Sequence, residues 1–246
     1  DEGSGTGIIF SNDGYIVTNY HVVQNASDIE VSLTDGTSYS AEIVGLDVLT
    51  DLAVIRIKAD NLSSIKFGQS EGLRPGDWVF TIGNALNLRG GPSVTFGIVS
   101  GVGRTVQTES GDLSDMIQTD AAINPGNSGG ALLNMNGELI GINTAIATGG
   151  YERGNRGVGF AIPSNMAFRI MSDLVDKGFV TRSWLGVYIQ ELDDETARAL
   201  EIKTRNGALI TDVVEDSPAE KSGLEEGDLI ISFNGQSISD PSNLKN

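Results

Sequence analysis

Gly126-Asn127-Ser128-Gly129-Gly130 sets a single serine among glycines. A hydroxyl nucleophile needs its backbone held in a sharp turn. Peptide N–H groups must face the oxygen that turns negative during attack. Glycine supplies both the unusual backbone angles and the room for close approach of a substrate. Read alone, the stretch is equally a plain glycine turn. A base and an orienting acid elsewhere in the chain decide between the two.

The chain holds one histidine, His21, in Thr18-Asn19-Tyr20-His21-Val22-Val23. It follows a β-rich run, at a strand end, and is the only imidazole the chain offers as a general base. A mechanism needing two imidazoles, such as a two-His zinc site, is therefore excluded. With no cysteine in the chain, disulfides, thiolate metal sites and a cysteine nucleophile are excluded too. Asp51 stands just before the apolar run Leu52-Ala53-Val54. An acid there can be buried and aimed at an imidazole N–H, which fixes the tautomer. Taken singly it also reads as a surface turn residue. Together, His21, Asp51 and Ser128 form a candidate triad whose order along the chain is that of the chymotrypsin class.

The strands around these residues fall into two sets. Residues 7–58 alternate short apolar runs with turns, as in Tyr15-Ile16-Val17-Thr18, Asp28-Ile29-Glu30-Val31-Ser32-Leu33 and Leu52-Ala53-Val54-Ile55-Arg56-Ile57. A second set runs from Trp78 to Ala161 and contains Ser128. Each set suits a small barrel, with the triad in the cleft between them. Pro163-Ser164 opens a helix with Ser164 as N-cap, apolar residues Ala167, Ile170, Met171 and Leu174, and Gly178 as its end. From Trp184 the texture changes to short strands and helices. The expected fold class is mainly β: two six-stranded antiparallel barrels over 1–178, a linker at 179–183, and a smaller α+β domain over 184–246.

The triad stretches closely resemble the HtrA/Deg proteases, as does Gln118-Thr119-Asp120-Ala121-Ala122-Ile123-Asn124-Pro125 leading into the serine. So do Gly137-Glu138-Leu139-Ile140-Gly141-Ile142-Asn143-Thr144 and Gly157-Val158-Gly159-Phe160-Ala161-Ile162-Pro163. The resemblance covers nearly the whole chain. It implies an ATP-independent serine endopeptidase of protein quality control, acting on unfolded or damaged proteins outside the cytoplasm, in the periplasm or an organelle lumen. It implies a PDZ domain that captures C-terminal peptides, and a homotrimer or a multiple of trimers. No cofactor or metal is implied. Gly126, Asn127 and Ser128 would form the oxyanion hole. Trp184-Leu185-Gly186-Val187 resembles the carboxylate-binding loop. The helix forming the other wall of that groove would begin near Pro241-Ser242-Asn243-Leu244, so residues 184–246 are expected to make a C-terminally incomplete PDZ domain.

Two departures from digestive serine proteases matter. Those enzymes carry Asp before the nucleophile, to pair with an N-terminus freed by zymogen cleavage. Asn127 is neutral and cannot, so activation is expected from ordering of loops at 84–92, 123–127 and 147–157. A trypsin also has an acid six residues before its nucleophile, where this chain has Ala122. With Ile123, and by resemblance Ala145 and Ile146, the pocket is apolar and shallow. It should accept small aliphatic residues and reject Lys or Arg, whose charge would be buried unpaired.

The net charge of −17 offers no basic stripe for nucleic acid and disfavours anionic lipid. No apolar run reaches membrane-spanning length. Asp1-Glu2-Gly3-Ser4-Gly5 already reads as a strand approach, so the natural N-terminus is expected upstream. The rival function is a chaperone-like or peptide-binding protein whose triad is idle.

Overall fold

The computed structural model describes residues 3–85, 91–108, 111–146, 155–204, 206–238, 241 and 244. The chain divides into two compact units, Asp1–Val180 and Thr181–Asn246.

In the first unit, β1 (Ile8–Ile9), β2 (Tyr15–Asn19), the single-turn α1 (Tyr20–Val23), β3 (Ile29–Ser32), β4 (Ser38–Asp47) and β5 (Leu52–Ile57) come first. Their antiparallel sheet has the order β1-β2-β5-β4-β3. The expected chymotrypsin-like class stands, but this sheet has five strands where six were expected. The chain after β5 takes the sixth place without becoming a strand. Leu62 N–H donates to Asn12 O at 3.2 Å and Ile65 N–H to Ile9 O at 3.0 Å. Asn61, at φ +59°, interrupts the extended geometry between β5 and this contact.

The second set comprises β6 (Trp78–Gly83), β7 (Ser93–Thr108), β8 (Gly111–Thr119), β9 (Ala131–Asn134), β10 (Leu139–Ile146) and β11 (Gly159–Pro163). These six close into a barrel in the order β10-β11-β8-β7-β6-β9.

The period-2 rule explains how the same strands serve two cores. In the first sheet Ile16, Ala53, Ile55 and Ile57 point one way, into the sheet's own interior. Val17, Leu52 and Val54 point the other way, into a cluster shared with Leu133, Leu139, Ile142 and Ile162 of the barrel. The barrel interior is filled by Val79, Val99, Ile117, Leu132, Ile140 and Ala161.

Helix α2 (Ser164–Lys177) packs Ala167, Ile170, Met171 and Leu174 into the shared cluster and touches β4, β5, β10 and β11. It therefore fastens the two sheets together. Gly178 ends it in the left-handed conformation, its N–H bonded to Leu174 O at 3.0 Å. The start differs from the sequence expectation. Pro163 is the N-cap, and Ser164 is buried with its hydroxyl donating to Gly68 O at 2.9 Å. The capping role passes to Ser70, whose Oγ accepts from Asn165 N–H at 3.1 Å. A cap supplied from 95 residues away leaves no local signature.

The second unit contains β12 (Val187–Gln190), α3 (Asp194–Ala199), β13 (Ala208–Val213), α4 (Pro218–Ser222), β14 (Leu229–Ile230), β15 (Ser232–Phe233) and β16 (Gln236–Ser237). Three strands pair as β12-β13-β14, and β15-β16 form a hairpin. β14 and β15 are separated at Ile231, which belongs to neither strand. Asn234 and Gly235 both take positive φ, the geometry of a tight hairpin turn.

Candidate active site

The acid comes first. β2 and β5 pair with Asn19 opposite Leu52, so α1 starts beside the residue that precedes β5. That residue, Asp51, sits at φ +55°, a conformation Asp tolerates. Its carbonyl accepts from Tyr20 N–H and from Asn19 Nδ2, each at 3.0 Å. Its carboxylate is nearly buried and gathers three donors. Oδ1 accepts from His21 N–H at 3.0 Å, and Oδ2 accepts from His21 Nδ1 at 2.7 Å and from the Thr144 hydroxyl. A carboxylate can only accept here, so Nδ1 carries the proton and Nε2 is left as the base. The His21 side chain remains 35% exposed, open to a substrate.

The nucleophile turn is built by two successive reversals. Asn127 N–H bonds to Asn124 O at 2.9 Å around Pro125 and Gly126. Gly130 N–H bonds to Asn127 O at 2.9 Å around Ser128 and Gly129. Gly126 at φ +95° and Gly129 at φ +80° occupy the third position of each, as type II turns require. A Cβ on Gly129 would lie 2.1 Å from Thr6 O and 2.3 Å from Thr18 Oγ1, so no side chain fits. Thr6 clamps the turn from outside. Its N–H donates to Ser128 O at 2.8 Å and its hydroxyl to Gly126 O at 2.7 Å. With those carbonyls engaged, the N–H groups of Gly126 and Ser128 have no partner among the described residues. Asn127 N–H, by contrast, is spent on Asn124 O. The Asn127 side chain is buried, donating from Nδ2 to Ala122 O at 3.4 Å while Oδ1 has no partner.

The barrel carries the serine to the acid through β10. Gly129 N–H donates to Asn143 O and Asn143 N–H to Gly130 O, both at 2.8 Å. The next residue, Thr144, supplies the hydroxyl on Asp51 and a carbonyl that accepts from Ser128 Oγ at 3.4 Å. Among the described residues no hydrogen bond joins Ser128 to His21. Thr144, Thr6 and Thr18 were not singled out from the sequence. Thr144 lay inside a quoted stretch, but a threonine in a strand carries no sign of its partner.

Of the pocket residues, Ile123 is buried against Gly159, where an added Cβ would come within 2.8 Å of Ile123 Cδ1. Its carbonyl accepts from Asn155 Nδ2 at 3.0 Å. Ala145 and Ile146 lie in β10 opposite Phe160 and Gly159; their side chains lie outside the described set. So do residues 86–90 and 147–154, which make up most of two loops expected to govern activation.

In the second unit, Leu185 O accepts from Ala219 N–H and Gly186 O from Val214 N–H, each at 2.9 Å. Gly186 has φ +85°, and a Cβ there would meet Ser217 Cβ at 2.2 Å. The carbonyls of this loop thus turn inward, while the N–H groups of Leu185 and Gly186 have no partner among the described residues. β12 follows and, among the described residues, pairs on one edge only, with β13.

The family model of the trypsin-like peptidase domain matches residues 5–142, and that of the PDZ domain matches 174–246. The chain is 52% identical over 242 residues to the probable periplasmic serine endoprotease DegP-like of Chlamydia trachomatis serovar D, covering 98% of this chain and 48% of that protein. It is 48% identical over 237 residues to the periplasmic serine endoprotease DegP of Escherichia coli K12, covering 96% of this chain and 49% of that protein. The chain spans about half the length of these relatives. Among solved structures, the HtrA-type protease AlgW with a tripeptide superimposes with a TM-score of 0.84 at 43% identity, covering 98% of this chain and 78% of that one. The chain belongs to the HtrA/Deg family of trypsin-like serine proteases that carry a PDZ domain.

Proposed function

We propose that this protein is an ATP-independent serine endopeptidase that degrades unfolded or damaged proteins through an acyl-enzyme on Ser128. Asp51 holds His21 in the tautomer with Nε2 free, and His21 takes the Ser128 proton as the hydroxyl attacks the scissile carbonyl. The oxyanion that forms is met by the N–H groups of Gly126 and Ser128. Returning the proton to the leaving amine frees the first product, and water then repeats the sequence to release the acyl group. The observation that carries this reading is the convergence on one carboxylate of the sole imidazole and of Thr144, the strand residue next to the nucleophile turn.

For the pocket we propose Ile123, Ala145 and Ile146 as an apolar wall that selects small aliphatic residues. The buried Ile123 over Gly159 supports it. N–H groups at Leu185 and Gly186 that have no partner among the described residues, beside an edge of β12 that likewise has none there, support capture of a C-terminal carboxylate by strand addition, with Trp184 and Val187 flanking the loop.

We further propose a homotrimer or a multiple of trimers. On the outer face of the barrel Trp78 and Phe96 stack at 5.0 Å, 58% and 55% exposed. Val94, two residues before Phe96 on the same strand, is exposed as well. An apolar surface of this kind marks an interface. The relatives' names place them in the periplasm, and the same location is proposed here. The rival reading, an idle protease domain beside a peptide-binding one, is separated by a single experiment. Wild type is expected to cleave unfolded casein and Ser128→Ala to leave it intact with an unchanged melting temperature. Casein cleavage by Ser128→Ala would overturn the assignment.

A further inference from the structure

Ser128 stands apart from its base in a specific way. Its hydroxyl donates to Thr144 O at 3.4 Å, and among the described residues it makes no hydrogen bond to His21. Thr144 is no ordinary strand residue. Between Asn143, opposite Ala161, and Ala145, opposite Phe160, the register of β10 on β11 shifts. Thr144 is the extra residue of that bulge, a device that re-aims groups beside active sites. Its hydroxyl is aimed at Asp51 and its carbonyl at Ser128.

The other edge of β10 is partly free. β9 pairs with it only as far as Ile142, and the nucleophile turn pairs with Asn143. Past that point the strand continues through Ile146 with no further strand on this side among the described residues. An extended substrate backbone can add to such an edge. Its first N–H beyond the turn reaches the acceptor at Thr144.

Resting on the protease reading above, we propose that Thr144 O is a parking site for the Ser128 hydroxyl. The backbone N–H of an arriving extended substrate takes that acceptor over, and the hydroxyl is returned to His21 Nε2. The exchange is favourable in kind. A long, weak O–H···O bond is lost, and an N–H···O bond and an O–H···N bond are gained. The triad is then completed by the substrate's own main chain. A ligand that cannot offer that N–H leaves Ser128 disengaged. This is a filter for unfolded chain, and it acts before any side chain is read.

His21 is the only histidine, so its ring nitrogens give one unambiguous pair of NMR signals. In the free protein, the His21 Nε2 shift is expected to be the same in wild type and Ser128→Ala. The probe is a peptide with valine at P1 and its scissile amide replaced by an uncleavable methylene ether, compared with its twin N-methylated at P1. At saturation with the N–H peptide, the Nε2 shift should differ between wild type and Ser128→Ala. With the N-methyl peptide the two should coincide. A Ser128-dependent shift already present in the free protein would overturn the proposal. So would equal Ser128 dependence with both peptides. Either failure would leave the protease assignment standing if casein is still cleaved by wild type and not by Ser128→Ala.

Discussion

Three donors meet at Asp51, and each constrains the next step of the chemistry. The His21 backbone N–H fixes the position of the residue, Nδ1 fixes the ring, and the Thr144 hydroxyl occupies the lone pair that would otherwise face the barrel. Thr144→Val keeps the β-branched shape and removes only that donor. A hydrogen bond to a charged group is worth about 1.5–3 kcal/mol. If the loss appears in the transition state, kcat should fall by roughly one to two orders of magnitude, with KM little changed. Steady-state cleavage of a peptide with valine at P1 measures it, and an unchanged kcat would remove Thr144 from the account. Asp51, His21 and Ser128 could be singled out in the sequence because the imidazole is unique and the other two stand in motifs. Thr144 was not, since nothing in its type or neighbours separates it from any other strand threonine.

Strands and turns were legible wherever one face alternates, and less so where both faces are buried or the chain departs from regularity. β3 alternates inside and outside and was evident from its pattern. β8 and β9 were not marked, the first because bulges along its pairing with β7 break the alternation, the second because Ala131, Leu132 and Leu133 are buried in a row and leave no alternation to read. Ser164 was misread as a cap because the true partner, Ser70, arrives through tertiary structure. Two other helices are capped by their own neighbours. Ser217 accepts from Glu220 N–H at 3.1 Å and starts α4. Asp193 accepts from Thr196 N–H at 2.7 Å and starts α3. The Thr196 backbone N–H, and then its side chain, hold the Asp193 carboxyl below its ordinary value. A depressed pKa in the folded state means that the stabilisation is present above the unfolded value and fades as pH falls through the folded one. Asp193→Ala should therefore lower the melting temperature of the second unit at pH 7. As pH falls below the ordinary carboxylate range the difference should shrink, measured here between pH 7 and about pH 3. Calorimetry of the whole chain at the two pH values tests this, and an equal deficit at both would assign the effect to something other than the charged cap.

At the scale of the molecule, the two sheets of the first unit meet over one apolar cluster fastened by α2, and Asp51 of the first set and Ser128 of the second both bond to Thr144. That layout was foreseen from the chain order of His21, Asp51 and Ser128. The five-strand first sheet was not, because the segment beside β1 reads as extended chain yet makes only isolated backbone bonds. Assembly is the property least visible in a single chain, and the Trp78–Phe96 stack is the feature that speaks to it. Trp78→Glu places a charge in that patch and should shift the sedimentation coefficient from an oligomer to the monomer. An unchanged oligomer would locate the interface elsewhere. The central claim is that Ser128 is an activated nucleophile with an apolar pocket beside it. A peptidyl diphenylphosphonate with valine at P1 tests it most directly, by mass mapping of the covalent adduct. The expected result is a single phosphonylated site at Ser128, lost in His21→Ala and not formed when lysine replaces valine at P1. No adduct at Ser128 in a sample that still cleaves casein would contradict it.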